Sequence, residues 1–425
     1  MQILDFLLSR YLRRAYNKHM RLHPSAGTPP QPDSAKRYLL YIHVPFCESL
    51  CPFCPFHRVV LNRERARAYF EALQREIRFY HAAGFDFSDV YVGGGTPTVM
   101  PEALVPTLDL VRQLFQVSTI SVETNPNHLR EDLLDSLREV GVNRLSVGVQ
   151  SLEDKLLKEM ERYEPYGSSE AILERLQDAR GRFDTLNVDM IFNFPHQTTA
   201  SLMNDLQVLK TAQIDQISYY PIMPASSGQR IISTQMGAVS FDRERAMYRA
   251  IQDVLMPEYQ PGTAWCFSRL PAAIDEYIVN HDEYLGVGSG SFSYLNGTIY
   301  ASTISIDRYV NLAGRDVSTI TACRNLGLKK QLQYDFLMRL FGLHMDKEAM
   351  REKYGEAYRR LLRKEFLLFK SLGALEETEK EYRLTRDGMY YWVLMMREFF
   401  TGVNNFRAQM RAGIREESEA LAVDD

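Results

Sequence analysis

The chain has 425 residues, 45% hydrophobic and 24% charged, a globular composition with room for one large core and a smaller companion domain. Its formal charge of −4 and isoelectric point near 6.2 provide no basic field for a nucleic-acid partner, and its five cysteines do not form the even framework of a disulfide-stapled secreted domain. No run approaches the roughly 18 uninterrupted apolar residues of a membrane span, and the start lacks a signal-peptide cleavage region, so a cytoplasmic protein is expected.

In chain order, MQILDFLLSRYLRRAYNKHM places Leu4, Leu7, Leu8, Tyr11 and Leu12 on one helical face and Arg10, Arg13, Arg14 and Lys18 largely elsewhere. Such a basic amphipathic helix either docks on its own domain or lies on an anionic membrane surface. The stretch from His23 to Lys36, rich in Pro, Ser and Gly, reads as a linker. Beyond it, short β-rich runs recur at YLLYIHV, DVYVGG, TISVET, NRLSVGV, TLNVDMIF and QISYYP, separated by helical-length segments such as Ala66 to His81 and Glu102 to Leu114.

Alternation of this kind predicts a parallel α/β sheet. Six units are too few to close an eight-stranded barrel, so the fold class expected is a partial (β/α)6 TIM-type barrel. After about Gln260 the pattern loosens through YLGVGSGSFSYLNG, then turns helical from Leu328, where helix, short hairpin and helix follow in the order of a winged-helix module. The acidic EETEKE stretch there argues against DNA as its partner. The last ten residues read as a disordered tail. The expected boundaries are 1–36 for the helix and linker, 37–265 for the barrel, 266–327 for a connecting segment closing the site and 328–425 for the C-terminal domain.

Chemistry is expected at the carboxyl ends of the strands. Cys47, Cys51 and Cys54, in FCESLCPFC, follow the first strand at spacings suited to one loop folding around a metal, since thiolates are soft ligands for iron or zinc. A structural zinc would need a fourth ligand, for which His57 is the candidate. A 4Fe-4S cluster held by three cysteines instead leaves one iron open for chemistry. Gly93, Gly94 and Gly95 let backbone approach a ligand, and Glu123 ends an otherwise apolar strand. Gln150 and Asp189 lie at or near later strand ends, and Arg162 can hold a carboxylate by a bidentate pair. In GTAWCFSR, Cys266 is a candidate hydrogen donor or thiol catalyst, set against the commoner role of a lone cysteine as a small core residue.

YIHVPFC, GGGTPT, ISVETNP, NRLSVGVQS and VDMIFNFPHQT, in this order and with the Cys-x3-Cys-x2-Cys loop, resemble the radical S-adenosylmethionine (SAM) superfamily. Within it they are similar to the oxygen-independent coproporphyrinogen III oxidase-like branch, from Tyr38 to about Tyr220. The resemblance implies a 4Fe-4S cluster on Cys47, Cys51 and Cys54 whose open iron binds the amino and carboxyl groups of SAM, with reductive cleavage to methionine and a 5'-deoxyadenosyl radical. It further implies two SAM molecules, one contacted by Tyr41, Gly94, Glu123 and Arg162 and a second by Phe53, Gly95, Thr96, Gln150 and Asp189. An electron donor such as flavodoxin or a dedicated reductase is implied by the family.

Coproporphyrinogen oxidases carry a fourth cysteine two residues after the last cluster ligand, where this chain has Phe56. Relatives lacking it include heme chaperones, heme-degrading enzymes, radical methyltransferases and cyclopropanases. The resemblance therefore implies hydrogen abstraction from a tetrapyrrole or other small organic substrate. A C-methyltransferase or cyclopropanase using two SAM molecules and a heme chaperone are the alternatives, and the basic N-terminal helix adds a lipid or membrane-associated substrate.

Overall fold

A computed structural model describes residues 9, 10, 13, 22–24, 31–223, 237, 239–269, 279 and 281–423. The N-terminal amphipathic stretch lies mostly outside these residues. So does 25–30, within the expected linker.

Six parallel strands form the centre: β1 (Tyr38–Val44), β2 (Phe87–Gly94), β3 (Thr119–Thr124), β4 (Arg144–Gln150), β5 (Thr185–Phe192) and β6 (Gln216–Pro221), each hydrogen-bonded to the next. Every residue of β1 is buried, as expected of a strand covered on both faces. The outer layer comprises α1 (Arg63–Ala82), α2 (Pro101–Leu114), α3 (Glu131–Glu139), α4 (Ser169–Ala179), α5 (Thr199–Thr211) and α6 (Glu244–Leu255). Helix starts are set by side-chain caps. Asn62 accepts from Arg65 N at 2.9 Å ahead of α1, and Thr198 and Ser201 form a capping box ahead of α5. The result is an open, partial (β/α)6 barrel, as the strand count requires.

Both edges extend beyond these six strands. β7 (Cys266–Ser268) runs antiparallel to β6. On the other edge, β8 (Tyr284–Val287) is parallel to β1 and continues into an antiparallel meander of β9 (Phe292–Leu295), β10 (Thr298–Ser302) and β11 (Ile320–Asn325). The Gly- and Ser-rich run that reads as a loosening of the pattern is thus sheet. A Cβ at Gly286 would lie 2.2 Å from the Phe292 carbonyl oxygen, so glycine there lets the chain fold back tightly on itself.

The C-terminal region has the winged-helix order. Helix Arg363–Ser371 leads to strands Leu375–Glu377 and Glu381–Leu384, and His344–Asp346 joins them in a three-stranded sheet. Two helices tie this region to the barrel, α7 (Leu328–Phe341) and α8 (Arg386–Val423), and Trp392 Nε1 donates to the Leu337 carbonyl at 3.0 Å between them. α8 extends to Val423, into the segment expected to be a disordered tail, because REESEALA consists mainly of strong helix formers. A buried ionic network joins three segments: Arg397 of α8 pairs with Glu244 of α6 and with Glu398 at 2.9 Å, and Glu398 accepts from Arg13 Nε at 2.7 Å. Among the described residues no helix is long and apolar enough to cross a membrane.

Candidate active site

The cysteine loop leaves β1 and is pinned by its backbone. Phe46–Cys47 pairs with Val59–Val60, Gly95 N donates to Val44 O at 2.7 Å, and Thr96 N donates to Phe46 O at 2.8 Å. Cys47 and Cys51 are buried and Cys54 half-buried. Arg58, which sequence reasoning passed over, donates to the Cys51 carbonyl and to the Cys54 carbonyl at 2.8 Å, fixing the loop between the last two thiols. Burial pushes the Cys47 thiol up to about 12, so binding a metal there releases a proton.

All three sulfurs border one cavity at the carboxyl ends of the strands, enclosing about 1960 Å³ with the solvent at its mouth included. Tyr41, Phe53, Gly94, Gly95, Thr96, Glu123, Gln150, Arg162 and Asp189 line the same cavity. Each glycine of the Gly93–Gly95 run has its own steric reason. A Cβ at Gly93 would meet Glu123 Oε1 at 2.7 Å, and one at Gly95 would meet Phe46 O at 2.6 Å. Gly94 sits at φ +118°, its added Cβ would be 2.6 Å from His43 Cε1, and its N–H donates to Glu123 Oε2 at 3.0 Å. Gln150 closes β4 at φ 78°, a left-handed conformation rare outside glycine, next to a register irregularity between Gly148 and Gln150.

Hydrogen bonds orient the polar walls. Glu123 also accepts from Tyr91 at 2.9 Å, and burial raises its carboxyl above the ordinary range. Arg162 donates from Nη1 to Cys51 Sγ at 3.3 Å and from Nη2 to Asn125 Oδ1 at 2.9 Å, with its guanidinium over the Tyr166 ring. Asp189 accepts from Ser146 at 2.9 Å and from Asn187 at 2.7 Å, while Thr96 Oγ1 lies 3.6 Å from Cys47 Sγ.

Two sequence candidates fall elsewhere. His57 is not on the cavity wall: it stacks on His43 with ring centroids 5.6 Å apart, and its Nε2 lies 3.2 Å from Ser289 Oγ. Cys266 is fully buried in the apolar core, whereas its neighbour Trp265 borders the cavity. Burial in the core is the ordinary place for a small, weakly polar thiol. Among the described residues no three His, Cys, Asp or Glu side chains gather to hold a single ion. The donor set fits a 4Fe-4S cluster instead: three soft thiols on one pinned loop, whose ligation is spread over three irons.

Sequence reading expected 266–327 to close the site but singled out no residue of the outer wall. It is aromatic, with Tyr284, Phe292, Tyr334, Phe399 and Phe400, and it includes Arg407 from α8. The signal was present in MYYWVLMMREFF, whose apolar residues cover more of the helix than one docking face needs.

Comparison with known proteins agrees with this geometry. Residues 41–209 match the radical SAM superfamily. The heme chaperone HemW of Bacillus subtilis is 24% identical over 363 residues, covering 82% of this chain and 95% of the relative. The oxygen-independent coproporphyrinogen III oxidase of Salmonella typhimurium is 26% identical over 380 residues, 82% of each chain. The solved coproporphyrinogen III oxidase HemN from Escherichia coli shares the fold, with a TM-score of 0.72 at 23% identity over 85% of this chain and 90% of that one.

The three-cysteine loop after the first strand and the strands and helices that follow it, within residues 41–209, are thus a match to the radical SAM superfamily. That match implies a 4Fe-4S cluster and SAM. The likeness to coproporphyrinogen III oxidases extends over most of the chain, in sequence to the Salmonella enzyme and in fold to HemN.

Proposed function

We propose that the protein is a catalytic radical SAM enzyme in which Cys47, Cys51 and Cys54 hold the cluster and the strand ends hold SAM, with a tetrapyrrole or other small organic molecule as substrate. When bound, the reduced cluster and SAM supply a 5'-deoxyadenosyl radical that abstracts hydrogen from a substrate carbon. The chain itself binds, orients and excludes water. Arg58 holds the loop carbonyls, and Arg162 directs a charge-assisted donor at Cys51 Sγ. Gly94 and Gly95 bring backbone to the cavity surface, and Glu123, fixed by Tyr91 and Gly94, presents a carboxylate for an ammonium or a hydroxyl. Tyr41 completes that group of residues. Phe53, Gly95, Thr96, Gln150 and Asp189 form a further group on the same cavity, the residues for a second SAM.

The observation that carries this reading is the convergence on one cavity of all three cysteines with nine strand and loop residues singled out in sequence. A second reading, a heme chaperone, draws on the match over 95% of HemW. The test is anaerobic reconstitution of wild type and Cys51→Ala, reduction, and chromatography for methionine, 5'-deoxyadenosine and S-adenosylhomocysteine. Cleavage by wild type alone is expected, and S-adenosylhomocysteine alongside would point to methyl transfer. A wild-type protein that carries its cluster, binds heme tightly and cleaves no SAM would overturn the catalytic reading in favour of the chaperone.

A further inference from the structure

The segment from Tyr358 to Ser371, YRRLLRKEFLLFKS, holds five cations against a single carboxylate in a chain whose net charge is −4. Within it, helix Arg363–Ser371 of the winged-helix region turns Phe366 and Phe369 inward. The Phe366 and Tyr382 rings stack with centroids 4.3 Å apart, and Phe369 lies 4.8 Å from the Trp392 ring. Glu365, the carboxylate, is also held against the protein, accepting from Gln333 Nε2 at 2.6 Å. With these positions turned in, the helical period leaves Arg363, Lys364, Leu367 and Leu368 on the opposite arc. Leu367 is 59% exposed and Leu368 44%, and Arg360, Arg363 and Lys364 are exposed too. Among the described residues, no carboxylate pairs with any of these three cations.

Exposed apolar residues scattered singly need no partner, but two adjacent leucines bordered by unpaired cations form a combined apolar and basic face. In a winged-helix module the helix ahead of the hairpin is the one placed to read DNA. Here that reading fails twice. Leucines occupy positions where polar side chains would bond base edges, and the hairpin that follows carries the exposed Glu376 and Glu379 toward a phosphate backbone. An anionic bilayer fits the same face. Its acyl boundary takes up the leucines, and the long Arg and Lys side chains lie along that apolar layer while their charges reach the headgroup phosphates. Contact through the helix alone suffices for a bilayer, and Glu377 of the hairpin is already neutralised by Lys347 at 2.6 Å and by Lys370.

We propose that the exposed face of helix Arg363–Ser371, together with Arg360, docks the protein on an anionic lipid bilayer. Leu367 and Leu368 are the inserting residues, and Arg360, Arg363 and Lys364 bind the headgroups. None of these residues lines the catalytic cavity, so the inference stands or falls independently of the catalytic reading. The basic N-terminal stretch carries no part of it.

The test is flotation of the full-length, cluster-loaded protein with vesicles of phosphatidylcholine alone or mixed in equal parts with phosphatidylglycerol. Wild type is expected to float with the mixed vesicles only, and added salt should release it. A cation near an anionic surface contributes about fivefold in partitioning, so the triple variant Arg360→Gln, Arg363→Gln, Lys364→Gln should bind about a hundredfold more weakly. The double variant Leu367→Ser, Leu368→Ser should bind at least about tenfold more weakly, through loss of the inserted apolar surface. Urea midpoints and 5'-deoxyadenosine yields of both variants should match wild type, since the changed side chains leave core and cavity untouched. If one variant fails to fold, the other decides. Wild type that stays in solution beside mixed vesicles would overturn the proposal. So would either folded variant floating as wild type does, which would assign the binding to another surface such as the N-terminal stretch. Retention of a DNA duplex at physiological salt in place of vesicles, lost in the cation variant, would overturn it in favour of a nucleic-acid face.

Discussion

Replacing Gly94 by alanine tests the geometry of the site at its tightest point. The new Cβ would lie 2.6 Å from His43 Cε1, on a backbone held at φ +118°. His43 cannot retreat: Nδ1 bonds the Tyr41 hydroxyl at 2.9 Å, Nε2 bonds the His57 carbonyl at 3.0 Å, and the ring stacks on His57. The strained backbone costs about 1–3 kcal/mol, and forcing an atom into a close-packed region costs about 1–3 kcal/mol more. Gly373 is the control, since at φ +64° it has nothing within 4 Å of an added Cβ, and its alanine variant should lose only about 1–2 kcal/mol of left-handed strain. Urea unfolding of both variants, with iron content and 5'-deoxyadenosine yield, gives the comparison. Gly94→Ala should be the less stable variant and lose product, because Gly94 N also orients Glu123. A Gly94→Ala protein as stable and as active as Gly373→Ala would refute the steric account of the glycine run.

Three further outcomes follow from named residues. Asp205 in α5 accepts from Ser151 Oγ at 3.1 Å and Leu152 N at 3.2 Å, and burial raises its carboxyl from 3.8 to about 7. The folded chain therefore binds the extra proton in that window, so its contribution is fully present below about pH 4 and is lost as pH rises through about 7. Asp205→Asn should flatten the fall in urea midpoint across that range, and an unchanged slope would exclude Asp205 as its source. Arg397→Met leaves Glu244 and Glu398, with side chains 0% exposed, beside an apolar group, and should destabilise by about 3–5 kcal/mol in urea unfolding; a loss below 1 kcal/mol would show that the network adds little. Cys266→Ala should leave the yield of 5'-deoxyadenosine at the wild-type level, because its side chain sits in the core and away from the cavity. A loss of yield with iron content intact would restore Cys266 as a catalytic thiol.

Periodicity made the barrel legible because its strands are short, apolar and separated by helices of ordinary length. Tyr38–Val44, Thr119–Thr124, Thr185–Phe192 and Gln216–Pro221 fall where alternation and β-branched residues place them, while β2 begins two residues before the Asp89 expected. Burial on both faces is a local property that a sequence displays directly. The edge strands were hidden because their glycines, Gly286 among them, serve close backbone approach, which has the same composition as a loop. Within the site, position at or near strand ends nominated the glycine run, Glu123, Gln150 and Asp189, whereas Tyr41, Phe53 and Thr96 came only from the resemblance to the radical SAM superfamily. Arg58 escaped because its role is to hold backbone carbonyls of its own loop, which no side-chain pattern displays, and Arg407 because it reaches the cavity only when α8 folds back across the barrel. Cys266 takes the commoner of the two roles weighed for it, a small side chain in the core.

The most direct measurement is electron paramagnetic resonance of the reduced, reconstituted protein before and after SAM is added. The account predicts a 4Fe-4S signal that shifts on addition of SAM, reporting an iron not ligated by cysteine, and that is absent from Cys51→Ala. A wild-type cluster whose spectrum SAM leaves unchanged would contradict the claim that these three cysteines build an open iron for SAM chemistry.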